Sequence, residues 1–199
     1  MDTILRINQK LQEFSVPQGG VFSLGDLKNL INPRNKAVFY RILSQLSEAS
    51  ILKQFCRNFY ITKVFDIQVL SQRICPDSYI SFGTVLAKNL IIGSVPTHRL
   101  MAVKLGPSRI YKNSEYKIEQ LSITNKLFIG YENINGVNIA TPEKAFIDTL
   151  YYYQKGMKFS FNVYSDIDCK AFEQKKLENY LKVYKNKKFV SFVNGVING

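Results

Sequence analysis

The stretch from residue 21 to residue 61 most constrains how this chain can fold, because helix signals and apolar runs follow one another closely there. Ser23 and Asp26 have the three-residue spacing of a helix-capping pair. A short helix over 24–31 is therefore predicted. Asn32-Pro33 is predicted to start a second helix, since asparagine can cap and proline suits the first helical position. Two strand-like runs, 51–55 and 58–61, are predicted to form a small hairpin.

The second predicted helix carries Phe39, Ile42, Leu43 and Leu46, a spacing that predicts a buried stripe. Helix, turn, helix and hairpin together are the plan of a winged helix-turn-helix, which lays one helix in the major groove of DNA. The predicted fold class is α+β. Residues 1–63 form the winged module, 64–78 a linking helix and boundary, and 79–199 an α+β domain with a mostly antiparallel sheet and C-terminal helices.

If the apolar stripe faces inward, the opposite side of that helix is polar and basic. Arginine, glutamine and lysine are the side chains that bond base edges and phosphates. The candidate DNA-binding residues of the module are Arg34, Lys36, Tyr40, Arg41, Ser44, Gln45, Lys53, Arg57 and Asn58. The alternative is that this basic face is only a solvated surface.

The net charge of the chain is +12, from 27 lysine and arginine residues against 15 acidic ones. The excess is spread along the chain and is not confined to a tail. A field of this sign favours polyanions, which include DNA, RNA, an anionic membrane surface and an acidic protein. Charge alone does not choose among them.

Other features narrow the compartment and the chemistry. No run of eighteen apolar residues occurs, and the N-terminus lacks the basic-then-apolar plan of a signal peptide. Cys56, Cys75 and Cys169 are widely spaced and match neither a disulfide framework nor a zinc site. We therefore expect a cytoplasmic protein with no membrane partner, no metal and no cofactor.

Flanking elements follow from periodicity. A helix over 3–14 is predicted with Ile4, Ile7, Leu11 and Phe14 inward, and a linking helix over 65–74 with Phe65, Val69 and Ile74 inward. Predicted strands of the second domain are 95–103, 108–112, 116–121, 127–131 and 137–140, with a turn at Asn135-Gly136 between the last two. Thr141-Pro142-Glu143 is predicted to begin a helix whose stripe is Phe146, Leu150 and Tyr153. The last third is predicted to form one or two helices, with these residues inward: Phe172, Leu177, Leu181, Tyr184, Phe189 and Val193.

Three features of the sequence are candidates for a catalytic site. Glu143 and Asp148, with Lys144 between them, are five positions apart and do not share a helical face. Asp166 and Asp168 would share a face of a strand and hold a divalent metal, but Asp168 better suits the cap of a helix near Lys170. His98 has no evident nucleophilic partner. The sequence therefore predicts that the protein is not an enzyme.

Beyond the winged module, three segments carry a resemblance to a known family: Tyr79-Ile80-Ser81, Leu127–Tyr131, and Ile139-Ala140-Thr141-Pro142-Glu143-Lys144-Ala145. Their order and the Ala-Thr-Pro-Glu-Lys-Ala helix start resemble the AbiEi family, antitoxins and transcriptional regulators of abortive-infection toxin–antitoxin systems used in phage defence. The resemblance implies an N-terminal domain that binds inverted repeats in its own promoter, as double-stranded DNA. It also implies a C-terminal domain that counters a nucleotidyltransferase-like cognate toxin or acts on the toxin's target. A basic face that helps to bind DNA is implied too, with Arg99, Lys104, Arg109 and Lys112 at the matching positions.

Two functions from different classes stay open. One is a DNA-binding autoregulator whose second domain is an antitoxin. The other is a winged-helix regulatory or protein-interaction module unrelated to a toxin, which would bind DNA only non-specifically and with steep salt dependence.

Overall fold

The computed structural model describes residues 3–198 and divides the chain into two compact units. The first contains the chain up to Ile74 together with Tyr111–Tyr116, and the second contains Cys75–Ile110 and the chain from Lys117 onward. Over the described residues, eight α-helices and two β-sheets form a mixed α+β fold, which confirms the predicted class at that level.

The first unit is built from four helices and a three-stranded sheet. In chain order these are α1 (Thr3–Ser15), β1 (Val21–Ser23), α2 (Leu24–Ile31), α3 (Lys36–Glu48), β2 (Lys53–Cys56), β3 (Phe59–Ile61) and α4 (Ile67–Ile74). The sheet has the order β1-β3-β2, and β3 is antiparallel to both neighbours. Val21 and Lys53 both lie opposite Ile61, so the central strand joins the start of the 21–61 segment to its hairpin.

The core of this unit lies where α1, α2 and α3 meet. The predicted α3 stripe is confirmed, and α1 contributes Ile7 and Leu11 as predicted. Phe14 was predicted inward but is 48% exposed, because α1 ends one residue later, at the rim of the core. The buried cluster consists of Ile7, Leu11, Phe22, Leu27, Phe39, Ile42, Leu43, Leu46 and Leu52.

The linking helix begins later than predicted. The Asp66 carboxylate accepts a hydrogen bond from the Gln68 amide at 2.7 Å, and α4 starts at Ile67. This start leaves Phe65 outside the helix, and its ring packs edge-on against Tyr116, 4.9 Å between centroids. The fully buried residues of α4 are Leu70 and Ser71, while the predicted Phe65, Val69 and Ile74 are half-buried.

The capping pair at the start of α2 is confirmed and is tied to α4. The Asp26 amide donates to Ser23 Oγ at 3.1 Å, and the Ser23 amide donates to the Asp26 carboxylate at 2.6 Å. The Arg73 guanidinium also donates to Asp26 and to the carbonyl oxygen of Val21. Partial burial acts to raise the pKa of Asp26, but the hydrogen bonds from Ser23 and Arg73 outweigh it and hold the pKa below its usual value of 3.8.

This lowered pKa predicts an acid sensitivity of the first unit. A carboxyl whose pKa is lower in the folded state stabilises the fold above its unfolded pKa and loses that contribution as pH falls through the folded pKa. We therefore expect stability to be level from neutral pH to about pH 5 and to decline below about pH 4. Urea unfolding across pH tests this, and Asp26→Asn should flatten the decline. Glu13→Gln, at an exposed carboxyl of α1, should keep the wild-type profile; a profile identical in all three proteins would contradict the assignment.

The second unit is organised around a six-stranded sheet of order β6-β7-β5-β4-β9-β8. The sheet contains the parallel pairs β4–β9 and β5–β7, which were not predicted, beside the antiparallel pairs β4–β5 and β8–β9. The elements are β4 (Ser78–Ile80), α5 (Phe82–Lys88), β5 (Arg99–Lys104), β6 (Arg109–Lys112), β7 (Lys117–Ser122), β8 (Tyr131–Ile134), β9 (Val137–Ala140), α6 (Pro142–Gln154), α7 (Gln174–Leu181) and α8 (Lys187–Asn198).

Two predicted strands need correction. The predicted strand over 95–103 begins only at Arg99, and Pro96, which has no amide to donate, lies in the segment before it. The predicted strand over 127–131 was wrong, because residues Asn125–Leu127 form a 3-10 turn and Gly130 has a left-handed φ of 74°. The Asn135-Gly136 turn is confirmed, with positive φ at both residues.

Helix α6 is the central element of the second unit. Thr141 caps it by accepting from the Lys144 amide at 3.3 Å, and Pro142 is its first residue, as predicted. Every side chain from 143 to 150 is buried, so the predicted one-sided stripe understated how the helix packs. The buried tyrosine is Tyr152 and not Tyr153, because the Tyr152 hydroxyl reaches the carbonyl oxygen of Ser122.

The last third forms two helices, α7 and α8. Five of the six predicted inward residues are buried: Leu177, Leu181, Tyr184, Phe189 and Val193. Phe172 is half-buried and packs against Phe146, with 4.7 Å between ring centroids.

Candidate nucleic-acid interface

Helix α3 begins three residues later than the sequence suggested. Asn32 has a left-handed φ of 46° and ends α2, so it does not start α3. The residue that caps α3 is Asn35, whose side-chain oxygen accepts from the Val38 amide at 2.9 Å. Arg34 therefore lies in the turn between the two helices, and Lys36 is the first helical residue.

The turn before α3, the outward side of α3 and the β2–β3 hairpin carry all nine candidate residues of the first unit. We call this the α3–hairpin surface. All nine side chains are exposed to solvent, including Tyr40, which is 44% exposed. The set is Arg34, Lys36, Tyr40, Arg41, Ser44, Gln45, Lys53, Arg57 and Asn58.

Local contacts engage some of these side chains. The Ser44 hydroxyl donates to Glu48 at 2.8 Å, and the Lys36 ammonium lies 6.0 Å from the centre of the Tyr40 ring. Lys53 forms an exposed ion pair with Glu115 at 3.8 Å. In contrast, the guanidinium groups of Arg34, Arg41 and Arg57 make no hydrogen bond or ion pair within the described residues. These three guanidinium groups are therefore available to bind an external anion.

The hairpin is short, and its turn is sharp. Asn58 has a φ of 69°, a conformation that asparagine tolerates better than most residues. The pairing shifts between Gln54 and Cys56, so that Cys56 lies opposite Phe59 and Arg57-Asn58 form the tip. The exposed tip thus carries one cation and one amide, groups that bond phosphate oxygens.

The four basic candidates of the sheet do not form one face. Arg99 and Lys104 are five positions apart on the regular strand β5, and side chains alternate between faces, so the two point to opposite sides. Arg109 and Lys112, three apart on β6, are separated in the same way. The Lys104 ammonium donates to the carbonyl oxygen of Pro107 at 3.2 Å. Arg99 lines a cavity with Met101 and Glu119.

A buried polar cluster inside the second unit was missed by the sequence analysis. Lys144 and Asp148, one turn apart on α6, form an ion pair whose side chains are both 0% exposed. Asp148 also accepts from the Tyr79 hydroxyl at 3.0 Å and from the Ser81 hydroxyl at 2.8 Å, and Lys144 contacts the Tyr184 hydroxyl at 3.3 Å. The i,i+4 spacing of Lys144 and Asp148 was the available signal.

The members of this cluster are buried: Tyr79, Ser81, Lys144 and Asp148 are fully enclosed, and Tyr184 is 8% exposed. Burial and the nearby Asp148 raise the pKa values of Tyr79 and Tyr184 far above their usual range, so both hydroxyls stay protonated and can donate. Burial also raises the pKa of Asp148, and the Lys144 ammonium and the three hydrogen bonds oppose that rise. The Ser81 hydroxyl donates to Asp148, and Ser81 makes no side-chain capping hydrogen bond to α5.

The other candidate catalytic residues, Asp166, Asp168 and His98, have local structural surroundings. Asp168 caps the 3-10 turn Cys169–Ala171, as the capping interpretation predicted, by accepting from the Lys170 amide at 3.1 Å. Asp166 accepts from the Asn162 amide at 2.7 Å and lies outside any strand. His98 is exposed. Over residues 3–198, no group of three or more histidine, cysteine, aspartate or glutamate side chains is placed to hold a metal ion.

Comparison with known proteins adds no family. No protein-family model matches the chain. No curated protein is significantly similar to it. Among the described helices, none combines the length and apolarity that crossing a bilayer requires.

Proposed function

We propose that this protein is a sequence-specific DNA-binding regulator of its own operon, and that the first unit is a winged helix-turn-helix. The observation that carries the proposal is the α3–hairpin surface: the 13-residue helix α3 presents Arg41 and Gln45 outward while its apolar side packs in the core. The β2–β3 hairpin takes the place of the wing. In such modules the exposed helix enters the major groove and the wing contacts the backbone.

The order of helices supports this assignment. Helices α2 and α3 are joined by four residues, 32–35, and the left-handed Asn32 turns the chain sharply between them. Asn35 then starts α3 with a side-chain cap, which fixes where its first turn begins. Arg34 and Lys36 flank that start, where cations meet phosphates as the helix enters the groove.

The regulator's antitoxin role rests on the resemblance to the AbiEi family and extends to the second unit. On this proposal the second unit counters a nucleotidyltransferase-like toxin or acts on the toxin's target. The reading frame next to the gene tests it: its product should arrest growth when expressed alone and not when expressed with this protein. Arrest in both conditions, or in neither, would remove the antitoxin assignment and leave the DNA-binding one intact.

Replacing Arg41 by alanine is expected to weaken binding to the upstream DNA of the gene by roughly ten- to a hundredfold, because one bidentate contact to a base edge contributes about 1–3 kcal/mol. Binding to a scrambled duplex should change little. The measurement is fluorescence anisotropy at low and near-physiological salt. The wild type should prefer its own DNA by about a thousandfold or more, as specific sites do.

Arg6→Ala is the matched control, because it removes the same charge from an exposed position on α1, outside the α3–hairpin surface. It should lower both affinities slightly and equally. Wild-type affinity in Arg41→Ala would remove α3 as the recognition helix. Equal binding of the wild type to both duplexes, collapsing as salt rises, would favour the interaction-module alternative.

A further inference from the structure

A cavity of about 150 Å³ opens beside β5 in the second unit. Its floor is formed by Met101 of β5 and Glu119 of β7, which lie opposite each other in the sheet. The segment 157–161 closes one side, and Gly83 lies on the other. A cavity of about this volume in a protein interior admits one aromatic ring, such as benzene.

The walls of the cavity suit a flat ring. Phe159 and Phe161 lie 5.5 Å apart between centroids and line the cavity together with the thioethers of Met101 and Met157. Gly83 lets these walls approach one another closely. A side chain there would crowd them, because its Cβ would lie only 3.0 Å from the Phe161 ring and from the Val95 side chain. Rings stack favourably on such surfaces.

Polar groups interrupt the apolar walls. Hydroxyls of Thr84 and Ser160 and the carboxylate of Glu119 line the same space. A hydrocarbon ring would leave the two hydroxyls without partners, which is costly for a hydroxyl that it desolvates. A heterocycle with donors and acceptors on its edge can pair with them.

The mouth of the cavity is positively charged. Arg99 and Lys158 line it, both exposed, and neither side chain makes a hydrogen bond or ion pair within the described residues. The acidic lining residue, Glu119, is already paired with Lys117 at 2.8 Å. Two unengaged cations beside a ring-sized cavity favour a ring that carries an anion.

We propose that this cavity binds a free nucleotide, with its base against the wall formed by the Phe159 and Phe161 rings and its phosphate on Arg99 and Lys158. A wider groove continues from the cavity along 158–164, and it adds no further cation but includes the Asp166 carboxylate. A strand of nucleic acid needs a positive track for successive phosphates, and this groove does not supply one. The occupant is therefore a mononucleotide and not a longer strand. This site is independent of the α3–hairpin surface.

Isothermal titration calorimetry of the full chain with AMP, GMP, CMP and UMP tests the proposal. At least one nucleotide should bind, and its nucleoside should bind about tenfold more weakly or worse, because charge-assisted hydrogen bonds to the phosphate are lost. Arg99→Gln and Lys158→Gln should each weaken the nucleotide by about tenfold. Arg109→Gln is the matched control: Arg109 is an exposed arginine of the same sheet that does not line the cavity.

Three results would overturn the proposal. No heat from any of the four nucleotides at millimolar concentration would exclude the site. Equal loss in Arg99→Gln and Arg109→Gln would show that only net charge attracts the ligand. A 5′-phosphorylated single-stranded decamer that binds far more tightly than the best mononucleotide, and needs Arg99, would assign the cavity to a strand end. Thermal melts of each variant by circular dichroism establish that the sheet is intact.

Discussion

Asp148→Ala is expected to destabilise the second unit by about 3–5 kcal/mol, because it leaves the Lys144 ammonium buried without its counter-charge. The same change strips the Tyr79 and Ser81 hydroxyls of their acceptor. A typical domain has only about 5–15 kcal/mol of stability, so the unit loses a large share of it. Asp148→Asn should cost less, since the amide oxygen still accepts from the hydroxyls.

The chain has no tryptophan, so the unfolding of each unit is best followed by hydrogen–deuterium exchange of its peptides in urea. Peptides of α6 and β4 should lose protection in Asp148→Ala, and peptides of α3 should not. Lys176→Ala is the control, because Lys176 forms an i,i+3 ion pair with Glu173 on the surface, at 3.0 Å, and such pairs contribute little. A loss below about 1 kcal/mol in Asp148→Ala would contradict the role of the buried pair.

The reciprocal variant adds a dependence on pH. In Lys144→Met the Asp148 carboxyl keeps its burial and loses its cation, so its folded pKa, already above the unfolded value, should rise further. A raised folded pKa of an acid destabilises the fold above the unfolded pKa, and stability recovers as pH falls toward it. Lys144→Met should therefore be closest to the wild type near pH 4 and farthest from it at neutral pH.

The buried pair also shows where sequence reasoning reached its limit. The start of α6 was predictable, because Thr141 and Pro142 act on neighbouring backbone groups. The environment of that helix was not predictable, since a local pattern assigns its three charged side chains and its threonine to solvent, and all four are buried: Glu143, Lys144, Asp148 and Thr149. Lys144 and Asp148 are buried because Tyr79 of β4, the following Ser81 and Tyr184 supply their partners, which lie between 40 and 69 positions away.

The same distinction holds in the first unit. The buried stripe of α3 was predicted correctly, because the helical spacing of its apolar residues is a local property of the sequence. The start of α3 was not predicted correctly, since Asn32 and Asn35 both suit a helix cap and only the fold decides between them. Asn32 adopts the left-handed conformation that ends α2. At the candidate interface this moved Arg34 from the helix into the turn. It left Arg41, Ser44 and Gln45 on the outward face, as predicted.

Gly20→Ala is expected to destabilise the first unit by about 3 kcal/mol or more, from backbone strain together with overpacking. Gly20 has a φ of 68°, and a Cβ there would lie 2.2 Å from the carbonyl oxygen of Val64 and 2.6 Å from Thr62 Oγ1. The loop cannot move away freely, because the Thr62 amide donates to the Gly20 carbonyl at 2.9 Å and the Asp66 amide donates to the Gly19 carbonyl at 2.8 Å.

Gly25→Ala, the same substitution five residues along, should have the opposite sign. Gly25 lies inside α2 with an ordinary helical backbone, and its added Cβ would meet only Ser23 Oγ, at 3.5 Å, an ordinary contact. Alanine is favoured over glycine in a helix by about 0.5–1 kcal/mol. Urea midpoints of the first unit, followed by exchange of β3 and α4 peptides, measure both variants. Equal effects of the two substitutions would contradict the close packing of the 62–66 segment against Gly20.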